Sequence, residues 1–451
     1  MIARRSLSTA VLGLLAATTA DAQSRERVCV TTEARRVISA PFLLANGSDR
    51  IVAATFAHPS PDGAAFVVAV RDPERTLRVG ERRGLRRSIT ELELRGAATP
   101  ADTSPGMVFA RINRDLGLVG EAVFVEDPTA SRREGETFPP GVPVGVTVEG
   151  GVLVIAHVAG DLYATLVTPE GPIAPLRRVA QAPPATAAGT HGFVWLTAGA
   201  RTLDGHPGAV ALGGTEEGEV VALRFDGRGE RLGDPVLWQQ HVGGAMQLLP
   251  VAPGDDLAAL LERPVRGATV TGEQAREQVL VRLTDTVEPS GDPARLGLGP
   301  YPTAAAMRGS SLVLSQWAEG RGLAVATLPM TRGRLQVETP RLWTTRELEG
   351  APLGHTMITG GEGVLYDLAL NGDTVAGGLH AYLVYFDGAG TPFPRRDVVP
   401  LRARVIAPPV LLPAEDGVVA VMANVDELGG GVDAVHLRCD LVTLPPTPTA
   451  Q

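Results

Sequence analysis

The sequence predicts an all-β fold, a seven-bladed β-propeller with four-stranded antiparallel blades and a ring closed by the N-terminal strand; six or eight blades are the alternatives. Three observations carry this. A strongly apolar run of about seven residues recurs along the chain, as AAFVVAV from Ala64, VLVIAHV from Val152, FVWLTAG from Phe193, LAALLER from Leu257, SLVLSQW from Ser311, VLYDLAL from Val364 and VVAVMAN from Val418. Each run follows a turn such as PDG, EGG, THG or EDG, where glycine supplies the positive φ that tight hairpins need. Each is followed by a run that alternates apolar and polar residues, as in DLYATLV from Asp161 and EVVALRF from Glu219. A period of two marks a half-buried strand.

The remaining elements fit round this pair. A weaker fourth strand follows in several units, as in PLRRVA and DPVLW, after a turn such as Asp226-Gly227 or Asp387-Gly388. Proline clusters come next, among them Pro139-Pro140, Pro183-Pro184 and Pro408-Pro409, and are expected to mark sheet boundaries because proline lacks a ladder donor. Three successive units repeat at about 54 residues, and no segment has helical periodicity. The rival repeat architecture, a right-handed β-helix, has shorter and more uniform rungs. A chain of 451 residues exceeds the usual size of one hydrophobic core, and a propeller distributes its core between blades. With 53 glycines, 36 prolines and 44% apolar residues, the composition suits many short strands joined by tight turns.

The N-terminus reads as an export signal over residues 1–22: Arg4-Arg5, an apolar stretch from Ala10 to Ala17, and Ala20-Asp21-Ala22 as a cleavage site. A retained anchor is the alternative, and the stretch is short for one. Residues 23–444 are assigned to the propeller and 445–451 to a disordered tail. No other segment is apolar enough to cross a membrane, so a periplasmic or extracellular location is expected, with the protein a monomer.

Only two cysteines occur, Cys29 and Cys439, at opposite ends of the mature chain. Export to an oxidising compartment makes pairing the expectation, with two free thiols the alternative. The segment RVCVTTEARRVIS shares Arg-Arg-Val with Arg177-Arg178-Val179 of a fourth strand, and the last unit lacks a fourth strand of its own. The N-terminal strand is therefore expected to complete the last blade, with a disulfide locking the closure.

Composition narrows the chemistry. All 41 basic residues are arginine, so Schiff-base and phosphate-loop lysine mechanisms are excluded. There is no G-x-S-x-G elbow and no H-E-x-x-H, and the eight histidines are scattered. No metal and no cofactor is expected. The strands expected to line the channel, IVAATFA, VPVGVTV, ATAAGTH, AMQLLPV, TAAAMRG, GHTMITG and PPVLLPA, contain no Asp or Glu. Glycosidases and lyases need carboxylates or metal ligands near the axis. His191, Arg308 and His355 are the polar exceptions and the candidate ligand contacts there; solvated or hydrogen-bonded strand ends are the bland alternative. His157 and Asp367 interrupt apolar strands and are expected to be buried and paired with a neighbouring blade. The Asp-Gly turns at Asp226, Asp387 and Asp416 are read as hairpin turns, since no calcium loop occurs.

The loop after the first strong strand runs from Arg71 to Gly106 and carries Arg82, Arg83, Arg86 and Arg87, candidates for an acidic partner or polysaccharide. Eight arginines there are nearly balanced by six acids, and the net charge of −9 argues against nucleic acid. A solvated hairpin insertion is the alternative.

In repeat shape, as in FVWLTAG and VVALRFDGRG, nearly the whole mature chain resembles the exported β-propeller proteins of GC-rich bacteria. It has no WD repeat, no kelch double glycine and no sialidase-type S-x-D-x-G-x-x-W box, so the resemblance implies no catalytic residues. The expected function is a non-enzymatic binding or scaffold propeller for a protein or glycan ligand. The alternatives are a carbohydrate-active hydrolase or lyase with acids from loops such as Glu216-Glu217, and a structural part of an envelope assembly.

Overall fold

The structure is a computed structural model. It describes the strands between residues 25 and 443 with their tighter turns; residues 1–24 and 444–451, and the longer connections, chiefly 72–105, 127–142, 184–191, 330–340, 344–350, 373–378 and 387–396, lie outside the described residues. The proposed signal and tail, and Arg82, Arg83, Arg86, Arg87 and His191, fall there.

After strand β1 (Arg25–Pro41), the first sheet holds β2 (Ile51–Pro59), β3 (Ala65–Arg71), β4 (Gly106–Ile112) and β5 (Val123–Glu126). The second holds β6 (Val144–Val148), β7 (Gly151–Val158), β8 (Asp161–Thr168), β9 (Gly171–Pro172) and β10 (Arg177–Ala180). The third holds β11 (Phe193–Leu203), β12 (His206–Thr215), β13 (Val220–Phe225) and β14 (Val236–Leu237). The fourth holds β15 (Gly244–Val251), β16 (Asp256–Val270), β17 (Glu273–Leu283) and β18 (Pro289–Arg295). Next come β19 (Thr303–Arg308), β20 (Ser311–Ala318), β21 (Gly322–Pro329) and β22 (Arg341–Trp343), then β23 (Ala351–Thr359), β24 (Leu365–Gly372), β25 (Leu379–Phe386) and β26 (Asp397–Val399). The closing sheet joins β27 (Arg404–Val405), β28 (Val410–Ala414), β29 (Gly417–Asp426) and β30 (Gly429–Thr443) to β1. Inner strands touch in the cyclic order β2, β6, β11, β15, β19, β23, β28 and back to β2. This all-β, antiparallel arrangement is a β-propeller.

The expectation of seven four-stranded blades is corrected. Among the described residues the four-stranded blade recurs five times, not seven, and the other two sheets have five strands. The cause is local. In the second sheet the outer strand position is split between β9 and β10, which both pair with β8, on either side of a segment containing Pro175. In the closing sheet the inner position is split between β27 and β28, which both pair with β29, on either side of Pro408-Pro409. Proline cannot donate to a ladder, so it interrupts a strand from within.

The core sits between sheets. Leu153, Ile155 and Leu162 of the second sheet pack on Phe193, Ala211, Leu223 and Phe225 of the third, and Leu249, Leu260 and Leu280 of the fourth on Ala305, Leu312 and Leu314 of the next. Second strands are covered on both faces, so they read as continuous apolar runs: all six residues from Val152 to His157 are buried.

The third-to-fourth turns form a repeated clasp. Asn113, Asp226 and Thr284 each accept, through a side-chain oxygen, the N–H four residues on: Gly117 at 2.8 Å, Glu230 at 2.8 Å and Glu288 at 3.0 Å. Residue i+3 of each is left-handed, with φ 57° at Leu116, 74° at Gly229 and 64° at Val287. Leu116 and Val287 are unfavourable in this conformation, and the burial of their side chains offsets the cost. The turns then receive groups from the preceding sheet. Arg177 donates to the Gly229 carbonyl and, at 2.6 Å, to Glu230; the Trp238 indole donates to the Val287 carbonyl at 2.8 Å. Removing that buried donor, as in Trp238→Phe, is expected to lower the unfolding free energy by about 1–2 kcal/mol, read as a lower urea midpoint at unchanged slope.

The ring closes as expected. β1 pairs with β30 along its whole length, with Cys29 opposite Cys439, and the two form a disulfide across 410 residues of sequence. A hydrogen-bonded chain stitches the same seam: Thr32 Oγ1 lies 3.1 Å from His436 Nδ1, and His436 Nε2 lies 3.0 Å from Asp416 Oδ1. Asp416 belongs to the β28–β29 turn, and its carbonyl accepts the Cys439 N–H at 2.7 Å.

Candidate binding face

Because consecutive strands are antiparallel, connections alternate between two ends of each sheet. One end, the turn face, holds the first-to-second and third-to-fourth turns. The other, the connection face, holds the second-to-third turns and the passages from sheet to sheet. The long segment 72–105 joins β3 to β4 and so begins and ends on the connection face. Loops on a rigid scaffold are where recognition is usually placed.

The inner strands supply little charge to the axis. Across β2, β6, β11, β15, β19, β23 and β28 no Asp or Glu occurs. The third sheet corrects one expected lining strand. ATAAGTH lies outside the described residues; FVWLTAGARTL (β11) is the inner strand, and HPGAVALGGT (β12) is the second strand. This brings in a charged residue that the sequence reading missed, Arg201. Its side chain is buried and donates to the Thr284 carbonyl at 2.8 Å and to Asp285 at 2.7 Å, next to the turn face. Asp285 is almost fully exposed, so solvent screens the pair and its role is geometric, tying two sheets together.

Of the predicted contacts, Arg308 is half-buried at the last position of β19, beside the turn to β20, and therefore lies at the turn face. His355 stands in β23 opposite Ala369. Thr359 at the end of β23 donates to the Met307 carbonyl, so His355, four residues earlier, is displaced by about 13 Å along the strands from the level of Arg308. Glu216 and Glu217 occupy the β12–β13 turn on the connection face, Glu216 exposed and Glu217 half-buried, one strand outward from the axis.

Two further polar arrangements occur at the connection face. Thr303 Oγ1 donates to Gln278 Oε1 at 2.8 Å and accepts from Gln316 Nε2 at 3.2 Å, a buried network between the fourth sheet and the next. His157, near the end of β7, is 4% exposed, and no side chain hydrogen-bonds either ring nitrogen. The neighbouring sheet meets His157 through a stacking contact with Phe193, ring centres 6.3 Å apart, rather than through a side-chain hydrogen bond. Burial pushes its pKa down to about 4, and the Trp195 backbone offsets this only partly. Asp226 Oδ1 is occupied by the N–H groups of Arg228 and Glu230, which accounts for that Asp-Gly turn without a metal. No group of three or more potential metal-binding side chains, and no helix long and apolar enough to cross a membrane, occurs among the described residues.

The sheet order and its closure define the class: a β-propeller sealed by its own termini. No family model matches the chain, and no curated protein does. Among solved structures the chain is similar to AofleA from Arthrobotrys oligospora, at 9% identity over 84% of this chain and 90% of that one with a TM-score of 0.40. It is also similar to the β-propeller domain of the Trilobed protease from Pyrococcus furiosus, at 8% identity over 88% and 100% with a TM-score of 0.41. Drosophila Semaphorin 2a matches at 8% identity over 90% and 76%, with a TM-score of 0.46.

Proposed function

We propose that this protein is an exported, non-enzymatic binding propeller that recognises a protein or glycan through its connection face. The observation that carries this is the absence of Asp and Glu from the seven described inner strands, so that none of these strands supplies the acid, base or nucleophile that glycosidic chemistry requires. Export is supported by the Cys29–Cys439 disulfide, which suits an oxidising compartment, and by the signal-like residues 1–22. The arginines at 82, 83, 86 and 87, in the segment that joins β3 to β4, are of the type that grips carboxylate or sulfate groups.

The test is a glycan array and an envelope-protein pulldown with the mature protein, with products of any bound glycan followed by mass spectrometry. The expected result is saturable binding without product. Replacing Arg82, Arg83, Arg86 and Arg87 by serine is expected to weaken an acidic ligand at least tenfold and flatten its salt dependence. Release of cleaved glycan would overturn the reading in favour of a carbohydrate-active enzyme.

A further inference from the structure

His157 lies where the second and third sheets meet at the connection face. It pairs with Leu162 beside the β7–β8 turn, and its ring stacks on Phe193, the first residue of β11. Among the described residues the two sheets are joined at this level by the backbone bond from the Phe193 N–H to the Gly160 carbonyl at 3.0 Å. They also approach closely there: a β-carbon on Gly192 would stand 2.7 Å from the Gly160 α-carbon. The imidazole is thus enclosed by Phe193, Leu162 and backbone; no side chain hydrogen-bonds it, and the one polar group that favours its charged form is the Trp195 backbone.

No counter-charge is bonded to it. β7 carries no other titratable residue, and neither do β6 and the stretch of β12 from Pro207 to Thr215. On β8, Asp161 accepts the Ala182 N–H at 3.0 Å and pairs with Arg178 of β10 at 3.4 Å. Arg177 of β10 is held by Glu230, and Arg201 of β11 by Asp285. Glu216, Glu217 and Glu219 lie in the β12–β13 turn and none hydrogen-bonds the ring. His191 precedes Gly192 outside the described residues.

We propose that His157 is an acid-sensitive latch, whose protonation opens the junction between the second and third sheets and remodels the connection face. An imidazolium in this gap is cut off from bulk solvent and is hydrogen-bonded to no carboxylate, and the Trp195 backbone compensates only part of the cost. Hydrating the ring requires the sheets to part where the Phe193–Gly160 bond joins them. The closed state resists protonation down to about pH 4, whereas a solvated ring titrates near 6.5. The open state therefore binds more protons between these values, and opening grows as pH falls from 6.5 to 4, by at most about 300-fold.

The test is hydrogen exchange of the mature protein between pH 7 and pH 4.5, corrected for the intrinsic pH dependence of exchange. The expected result is a selective loss of protection at the Phe193 amide, while the Gly243 amide at the next junction, bonded to the Glu262 carbonyl, stays protected. In His157→Gln and His157→Leu the acid response disappears. Should both variants fail to fold, NMR titration of histidine-labelled native protein decides: a ring titrating well below 6.5, with chemical shifts of Phe193 moving in step, supports the latch. An unchanged acid response in either variant, or a ring titrating near 6.5 in the closed protein, would overturn it. The effect on ligand binding rests on the proposed function. Opening in acid with binding unaltered leaves the latch standing and removes this part of the face from the binding surface.

Discussion

Replacing Cys29 and Cys439 by alanine is expected to lower the unfolding free energy by as much as about 6 kcal/mol, the loop-entropy value for a cross-link spanning 410 residues. Native strain and residual unfolded-state structure reduce the figure, but it remains the largest change that two small side chains make in this molecule. Its location explains the size. β1 belongs to the closing sheet only through β30, and without it that sheet loses its outer strand along with the Thr32–His436–Asp416 chain. Reduction of the native protein should reproduce the effect, and exchange of β1 amides should rise before that of other strands. Single and double alanine variants should be equally unstable, because either single change already removes the bond. Equal thermal stability of oxidised and reduced protein would show that the strand pairing alone seals the ring.

Gly417→Ala is expected to cost about 3 kcal/mol or more, measured as a lowered urea midpoint. A β-carbon at this position would stand 2.0 Å from the Leu437 carbonyl oxygen and 3.1 Å from the Cys439 amide nitrogen. Both obstacles are backbone, and β30 cannot retreat because β1 is disulfide-bonded to it on the far side. Gly214→Ala makes a useful contrast. There the obstacle is the Trp195 ring at 2.0 Å, a side chain, so shortening Trp195 to leucine in the same protein should recover part of the loss. No side-chain change should rescue Gly417→Ala. If Gly417→Ala is neutral, the tight approach of β29 and β30 is wrong.

Much of the scaffold is legible in the sequence because burial on two faces forces a continuous apolar run, and VLVIAHV and SLVLSQW become β7 and β20 nearly residue for residue. The shared Arg-Arg-Val also locates the closing strand correctly, for a physical reason. Arg177 reaches the third-to-fourth turn of the next sheet. Arg35 lies in the same relation to the first sheet, where a β-carbon on Gly117 would be 3.7 Å from its Nη1. The third unit misleads because its second strand, HPGAVALGGT, looks like a turn. Its glycines are there for close approach. A β-carbon on Gly208 would meet the Phe225 carbonyl at 2.4 Å, and those on Gly213 and Gly214 would meet the Phe193 and Trp195 rings. The β11 bulge at Val194 sends those two rings to opposite faces of the sheet, an irregularity that no alternating pattern announces. The turn clasp is visible only in hindsight, since Asn, Asp and Thr at its first position and Leu, Gly and Val at its fourth share geometry rather than identity. The candidate site is less legible still. His157 reads as an interruption of an apolar strand, and only the packed neighbour shows that no side chain hydrogen-bonds it.

Use of the connection face is tested most directly by comparing crosslinks from the two faces. A photo-crosslinking amino acid placed at Glu216, exposed on the connection face, should capture the ligand or partner identified in the binding screen. The same group at Asp234, exposed in the β13–β14 turn on the turn face, should capture none. Capture from Asp234 alone would contradict the account and move recognition to the turn face.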